Sequence, residues 1–416
     1  MSAEEPVPFD EKSFSIFTYR PVMLLWFARV TTALAYQMQA VAVGWQIYDL
    51  TSNALLLGMV GLMMFIPGIL LVLVSGQVAD RFDRSLVIRL SQSVMALSVG
   101  VLAVATATGI INTPIIMTCV FFLGAGRAFE STIMQALPPS IVPPSVLPRA
   151  IAGLSAAYQA ATVIGPAVGG LLLILGTSYV YATCCILFVL SSTFIWMIRI
   201  QHSPSKREPV SLETLFAGIV FISKNPIVLG AMSLDMFAVI FGGATALLPI
   251  FARDIFEVGT TGLGVMRAMP AVGALTVSFL LARYPIRKHL GRIMYAGVAM
   301  FGLSTIVFGL STYFPLSLAA LFALGASDML SVVVRQPLIQ LETPDNMRGR
   351  VSAVNSLFIG TSNQIGEFES GVTAYWFGAV PAVLIGGAGT ILIVLVWMKV
   401  FRPLYDVHTF EQRYKD

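Results

Sequence analysis

Four arginines, Arg29, Arg127, Arg267 and Arg335, and five acids, Glu130, Asp235, Asp328, Glu367 and Glu369, stand inside or near the ends of long apolar stretches of this sequence. An ionisable group in such surroundings is costly unless it is paired or used, which makes each a candidate for moving charge or holding a charged solute. A carboxylic acid whose surroundings change between two states can take up a proton in one and release it in the other. Glu130, Asp235, Asp328 and Glu367 are the proton-coupling candidates on that ground. Glu130 follows Arg127 by three residues, on nearly the same helix face, so the two are also placed to form a plain ion pair. Asp328 precedes Arg335 by seven residues, two turns along one face. Asp235 and Asp328 are equally able to bind a cation or to neutralise arginines. Glu367 and Glu369 are two apart and point to different faces, so at most one can meet a shared cavity. Arg29, Tyr36, Gln37, Arg127, Arg335, Asn355 and Asn363 supply the polar lining that an anionic or polyphenolic solute would meet. Arg29 also lies close enough to a helix end to snorkel to the interface instead.

None of these residues falls in a pattern for covalent catalysis. No Ser/His/Asp grouping, HExxH motif or hydrolytic acid pair can be picked out, and no GxxxxGK[ST] loop is present to use ATP, so the chain is not expected to be an enzyme. The three cysteines, Cys119, Cys184 and Cys185, lie in apolar runs, and the three histidines, His202, His289 and His408, in polar segments. Neither set has metal-ligand spacing, and no cofactor is implied. What remains is reversible binding from alternate sides, driven by an ion gradient or by the solute's own gradient.

The elements that must position these groups are read from composition. Of 416 residues 57% are hydrophobic and 11% charged, against the ~25% charged of a soluble chain. So few charges cannot coat a water-facing surface, and with a mean hydropathy of +0.84 the natural solvent is a bilayer. Six apolar stretches centre near Leu34, Leu70, Val101, Phe122, Val163 and Leu187, and six more near Val239, Leu275, Ile306, Leu324, Gly360 and Ile391. This predicts an all-α membrane protein of twelve transmembrane helices, divided into an N-terminal six-helix bundle over 1–200, a cytoplasmic linker over 201–224, and a C-terminal six-helix bundle with a cytoplasmic tail over 225–416. A net charge of +4 forms no continuous patch, which argues against a nucleic-acid partner. The opening residues Met1 to Lys12 are polar and acidic, with no apolar core of a signal peptide. With both termini inside, the loops on the inner side hold nearly all the Lys and Arg and the outer side keeps Arg253 alone, the asymmetry expected of a multi-pass protein of the cell (inner) membrane.

The two sets of six are related. Gly61, Pro67, Arg84 and Arg89 match Gly264, Pro270, Arg287 and Arg292 at a shift of 203 residues. Gly124, Gln135 and Arg149 match Gly325, Gln336 and Arg350 at 201, and Asp49 matches Asp254 at 205. A parallel repeat about an axis along the membrane normal leaves this signature.

Between the second and third stretches runs Gly76-Gln-Val-Ala-Asp80-Arg81-Phe-Asp83-Arg84-Ser85, which resembles the G-x-x-x-D-R-x-x-R-R signature of the major facilitator superfamily, with Ser85 where a second arginine is usual. Gly76 allows close helix approach, and Asp80, Arg81 and Arg84 can pair with one another and with helix ends, so the loop is expected to act as a cytoplasmic gate. Gly165-Pro166-Ala-Val-Gly169-Gly170 is similar to a motif found mainly in exporters of that superfamily, a proline bend with a tight packing face. Together with Trp45 to Thr51, the Arg127 helix and the Arg348-Gly349-Arg350-Val351 loop, these segments resemble the branch of siderophore and drug exporters over roughly residues 20 to 400. The resemblance implies two pseudo-symmetric bundles with helices 1, 4, 7 and 10 lining a central cavity. It further implies a secondary active transporter, working as a monomer, that exports an amphipathic small molecule in exchange for protons. Proton-coupled import of a small solute, and a lipid flippase or transporter-like sensor, share the same fold and stay open.

Overall fold

The computed structural model describes residues 19–142, 145–198, 212–344 and 347–410, with the side chains at a few positions inside those ranges, 76, 77 and 79–81 among them, outside the described set. The first six long helices are α1 (Arg20–Thr51), α2 (Ala54–Arg81), α3 (Arg84–Ala107), α4 (Thr113–Ala136), α5 (Leu147–Leu172) and α6 (Thr177–Trp196). A helix over Leu212–Lys224 leads into α7 (Pro226–Phe241), α8 (Gly259–Arg283), α9 (Leu290–Leu310), α10 (Phe314–Glu342), α11 (Arg348–Phe377) and α12 (Ala379–Val400). Residues 201–211 of the expected linker lie outside the described residues.

Local chemistry fixes where these helices begin. Asn53, Asp83, Asn112 and Asn225 each accept hydrogen bonds from backbone amides of the first turn of α2, α3, α4 and α7. Such a cap contributes about 1 kcal/mol. Even α6, with 20 residues, is about 30 Å long and crosses a hydrocarbon core. Ten of the spans are long and apolar enough to do so by length and composition. The two outside that set are α1, with Arg29, Tyr36, Gln37 and Gln39, and α11, with Asn355, Asn363, Gln364, Glu367 and Glu369. Helices this polar have to face protein or solvent on one side.

The packing repeats. In the first half α1 packs on α5 and α6, α3 on α4 and α6, and α2 on α4; in the second α7 packs on α11 and α12, α9 on α10 and α12, and α8 on α10. These are two pseudo-symmetric six-helix bundles. The turns from α5 to α6 and from α11 to α12 share one backbone device, Gly176 at φ +119° and Gly378 at φ +91°, where any side chain would be strained.

The halves meet where α2 lies along α11 and α5 along α8. Both contacts are glycine on glycine. A Cβ at Gly58 would stand 2.8 Å from the Cα of Gly371, and one at Gly170 would strike the backbone of Gly264. Close approach without side chains is what makes helix contact favourable in lipid. The matched glycines of the repeat are thereby explained, since Gly264 touches Gly170 and Gly61 receives Glu367 of α11.

One helix departs from the pattern. Its first-half counterpart α1 runs unbroken for 32 residues, but α7 stops at Gly242 and continues to Ile255 as a 3-10 segment, a short turn and a π-helical turn over Phe251–Ile255. The break falls where α11 passes, with Gly243 against Ser370 and Gly366.

Candidate transport site between the two halves

The halves are joined by apolar packing on one face only. The largest buried cluster draws on both, with Met38, Val43 and Leu123 from the first and Leu247, Phe251 and Leu263 from the second, on the face of the α1–α2 and α7–α8 connections. Toward the face of the chain ends the buried clusters are separate: two belong to the first half, around Leu25, Ile88 and Val146, and two to the second, around Leu234, Tyr295 and Val354. On the joined face polar contacts add to the apolar ones. Tyr48 of α1 donates a short hydrogen bond to Asp254 on the π-turn. Arg253 donates to the Tyr48 carbonyl at 3.0 Å and to Ser52 Oγ at 3.3 Å, with Asp49 at 3.9 Å. Arg253 is therefore a fastener between the halves.

Beneath this closure lies a charged cluster built from both halves. The guanidinium of Arg127 on α4 stacks 3.4 Å above the ring of Tyr36 on α1, and Arg29, two turns back along α1, sits 5.5 Å from the ring centre of Tyr158 on α5. Cation–π contacts of this kind hold an arginine while leaving most of its donors free. Tyr158 also neighbours Arg127, and Glu130 stands within electrostatic reach of both Arg127 and Arg29. From the second half Glu367 enters with its carboxylate against Gly61, facing Arg267 of α8 and Arg127. The Arg267 Nε is buried without a hydrogen-bond partner, and so is Gln364 Oε1 one turn from Glu367. Among the described residues none of Arg29, Arg127 and Arg267 makes an ion pair. Three guanidinium groups, two of them set over tyrosine rings and none in an ion pair among the described residues, stand against two carboxylates and can receive an anion.

The sequence candidates sort plainly by place. Arg29, Tyr36, Arg127, Glu130 and Glu367 are brought together. Gln37 packs its Cβ against Gly165, whose neighbour Gly169 meets Met38, so the glycines of the Gly165-Pro166 segment seat α5 on α1 while Gly170 seats it on α8. Asn363 is exposed and donates to its own helix at Ile359 O, 2.7 Å, while Asn355 is buried three turns before Glu367. Glu369 accepts from Thr373 on its own helix at 2.8 Å, leaving Glu367 as the acid of that pair in the cluster. Arg335 pairs with Asp235 of α7, both buried. Asp328, on the same α7-facing side of α10 as Arg335, lies against a small cavity between α7, α9 and α10 that Asp235 also lines. Of the expected gate, the side chains of Gly76, Asp80 and Arg81 lie outside the described residues; Arg84 donates to Ser140 Oγ at 2.9 Å. The sequence reading missed Tyr158, though its seven-residue spacing from Gly165 puts it on the motif's own face. It also missed the role of Arg267, noted only as charged and intramembrane.

Comparison with known proteins fits this geometry. Residues 11–413 match the family model described as transmembrane secretion effector. The chain is 24% identical over 405 residues to the enterobactin exporter EntS of Shigella boydii serotype 4, covering 92% of this chain and 94% of that one, and equally to its counterpart in Escherichia coli O1:K1. Among solved structures, a mutant of the nucleoside transporter NupG superposes with a TM-score of 0.73 at 12% identity, over 92% of this chain and 100% of that one. An inward-facing, unoccupied bacterial homologue of the lysosomal transporter Spinster gives 0.71 at 12%, over 93% and 96%. The D-xylose–proton symporter gives 0.66 at 15%, over 92% and 97%. At such identities the structures speak for the fold alone. The chain belongs to the transmembrane secretion effector family and is a multi-pass secondary transporter of the major facilitator superfamily, in the branch of the enterobactin exporter, and not an enzyme.

Proposed function

We propose that this transporter exports an anionic, amphipathic small molecule of siderophore-like character across the inner membrane in exchange for protons, by alternating access, as a monomer with both chain ends in the cytoplasm. The observation that carries the reading is the cluster of Arg29, Arg127 and Arg267 with Tyr36, Tyr158, Glu130 and Glu367, set between the halves below the Tyr48–Asp254 closure. Guanidinium groups and tyrosine rings together suit a solute with acidic and aromatic parts. The halves are fastened on the face opposite the chain ends, so the cluster is reached from the cytoplasmic side, where an exporter loads. Outward opening would part the Gly58–Gly371 and Gly170–Gly264 contacts while the Gly76, Asp80, Arg81 and Arg84 loop fastens the other face. The likeness to the enterobactin exporter favours a catecholate-type cargo.

The test is flux from proteoliposomes under an imposed proton gradient, across a panel of siderophores and drugs, beside a strain lacking the gene. Export predicts gradient-driven flux and intracellular accumulation of cargo in that strain. Lost uptake would favour an importer, and altered expression without flux a sensor.

A further inference from the structure

The second half holds a charge site that the transport cluster does not use. Asp235 of α7 and Asp328 and Ser331 of α10 line a cavity closed on its third side by Val298 and Phe301 of α9. Its volume, ≈ 10 Å³, is room for a single water. Arg335, one turn beyond Ser331, is taken by Asp235 in a contact ion pair. Asp328 has no ion pair among the described residues. Ser331 is 2% exposed. The site thus contains two carboxylates, one guanidinium and one hydroxyl, one positive charge short of neutrality.

A carboxylate at that depth without a counter-charge costs several kcal/mol, so the missing charge has to be supplied. Only a monovalent cation balances the count. A metal ion would stand beside the Arg335 guanidinium and find few oxygen ligands, since α9 brings only apolar side chains to the cavity. A proton bonds to Asp328 itself and avoids both difficulties. From α8, Arg267 faces Glu367 and not this cavity. We propose that Asp328, with Asp235, Ser331 and the water-sized cavity between them, is the binding site of the coupling proton, set inside the second bundle and separate from the cargo cluster. Arg335 stays with Asp235, so a charged Asp328 has no partner inside the bundle, and release of its proton is favoured only when the cavity opens to water.

This inference rests on the proton-exchange reading, and its test needs no cargo. Infrared difference spectra of the purified full-length protein between about pH 5 and about pH 9 read the carbonyl stretch of a protonated carboxyl directly. Expected is such a band in the wild type that is lost in Asp328→Asn, retained in Glu130→Gln, and shifted but present in Ser331→Ala. Loss in Glu130→Gln with retention in Asp328→Asn would overturn the assignment, as would removal of the band by sodium at constant pH. A parallel flux assay separates the two claims. Asp328→Asn is expected to keep downhill flux of a transported panel member and to lose its proton-driven accumulation, whereas absence of flux in the wild type would refute the transport reading and leave the infrared result standing.

Discussion

The molecule handles intramembrane charge in two ways. In the second bundle Arg335 and Asp235 are buried and in direct contact. Between the bundles Arg29, Arg127 and Arg267 share two glutamates without an ion pair, the first two set over tyrosine rings and the third with its Nε unpartnered. A mated pair is a fixed part of the fold, and removing one partner leaves an uncompensated charge. Arginines held by rings keep their donors for something that arrives. The difference separates the charge that maintains the bundle from the charge that serves cargo.

The largest effect should come from breaking the mated pair. Asp235→Ala strands Arg335 and is expected to cost about 3–5 kcal/mol, lowering the thermal midpoint and the yield of folded protein. Restoring stability with a second change, Arg335→Met, would sharpen the distinction; an unchanged midpoint in the single variant would remove it. At the cluster the expectation reverses. Arg127→Met should leave the midpoint near that of the wild type while cargo flux falls by about tenfold or more, the cost of one charge-assisted hydrogen bond. Comparable losses of stability at both sites would mean that the cluster, too, is structural.

Smaller effects are expected at the closure. Gly170→Leu cannot seat α5 on α8 and should open the joined face, read as faster labelling of a cysteine placed at the buried Ala244. Tyr48→Phe removes one hydrogen bond between the halves, worth about 0.5–1.5 kcal/mol, and should raise the same labelling a few-fold. If neither variant changes it, the Tyr48–Asp254 contact does not hold that face.

Much of the frame was legible in the sequence because hydropathy and glycine spacing are local properties. The twelve stretches and the shift near 200 residues gave the bundles and their relation, and the matched Gly61 and Gly264 lie at the contact between halves. Charge partners were not legible. The spacing of Asp328 and Arg335 put them on one face of α10, yet Arg335 turned to Asp235, 100 residues away, because a neighbouring helix offers a carboxylate that an axial step of two turns does not. Glu130 and Arg127, three apart, form no ion pair, because Tyr36 occupies the guanidinium. The break in α7 was also hidden, since it depends on Gly366 of α11 crossing at Gly243. Tyr158 and Arg267 join the cluster only through the packing of α5 on α1 and on α8, which no single stretch encodes.

The most direct measurement is the charge preference of transport in proteoliposomes, comparing the anionic form of the best-carried panel member with its neutral ester in the wild type and in Arg127→Met. The wild type should carry the anion at least about tenfold faster, and Arg127→Met should carry the two alike. Equal rates in the wild type, or a preference for the anion that survives in Arg127→Met, would contradict the assignment of the arginine cluster to cargo.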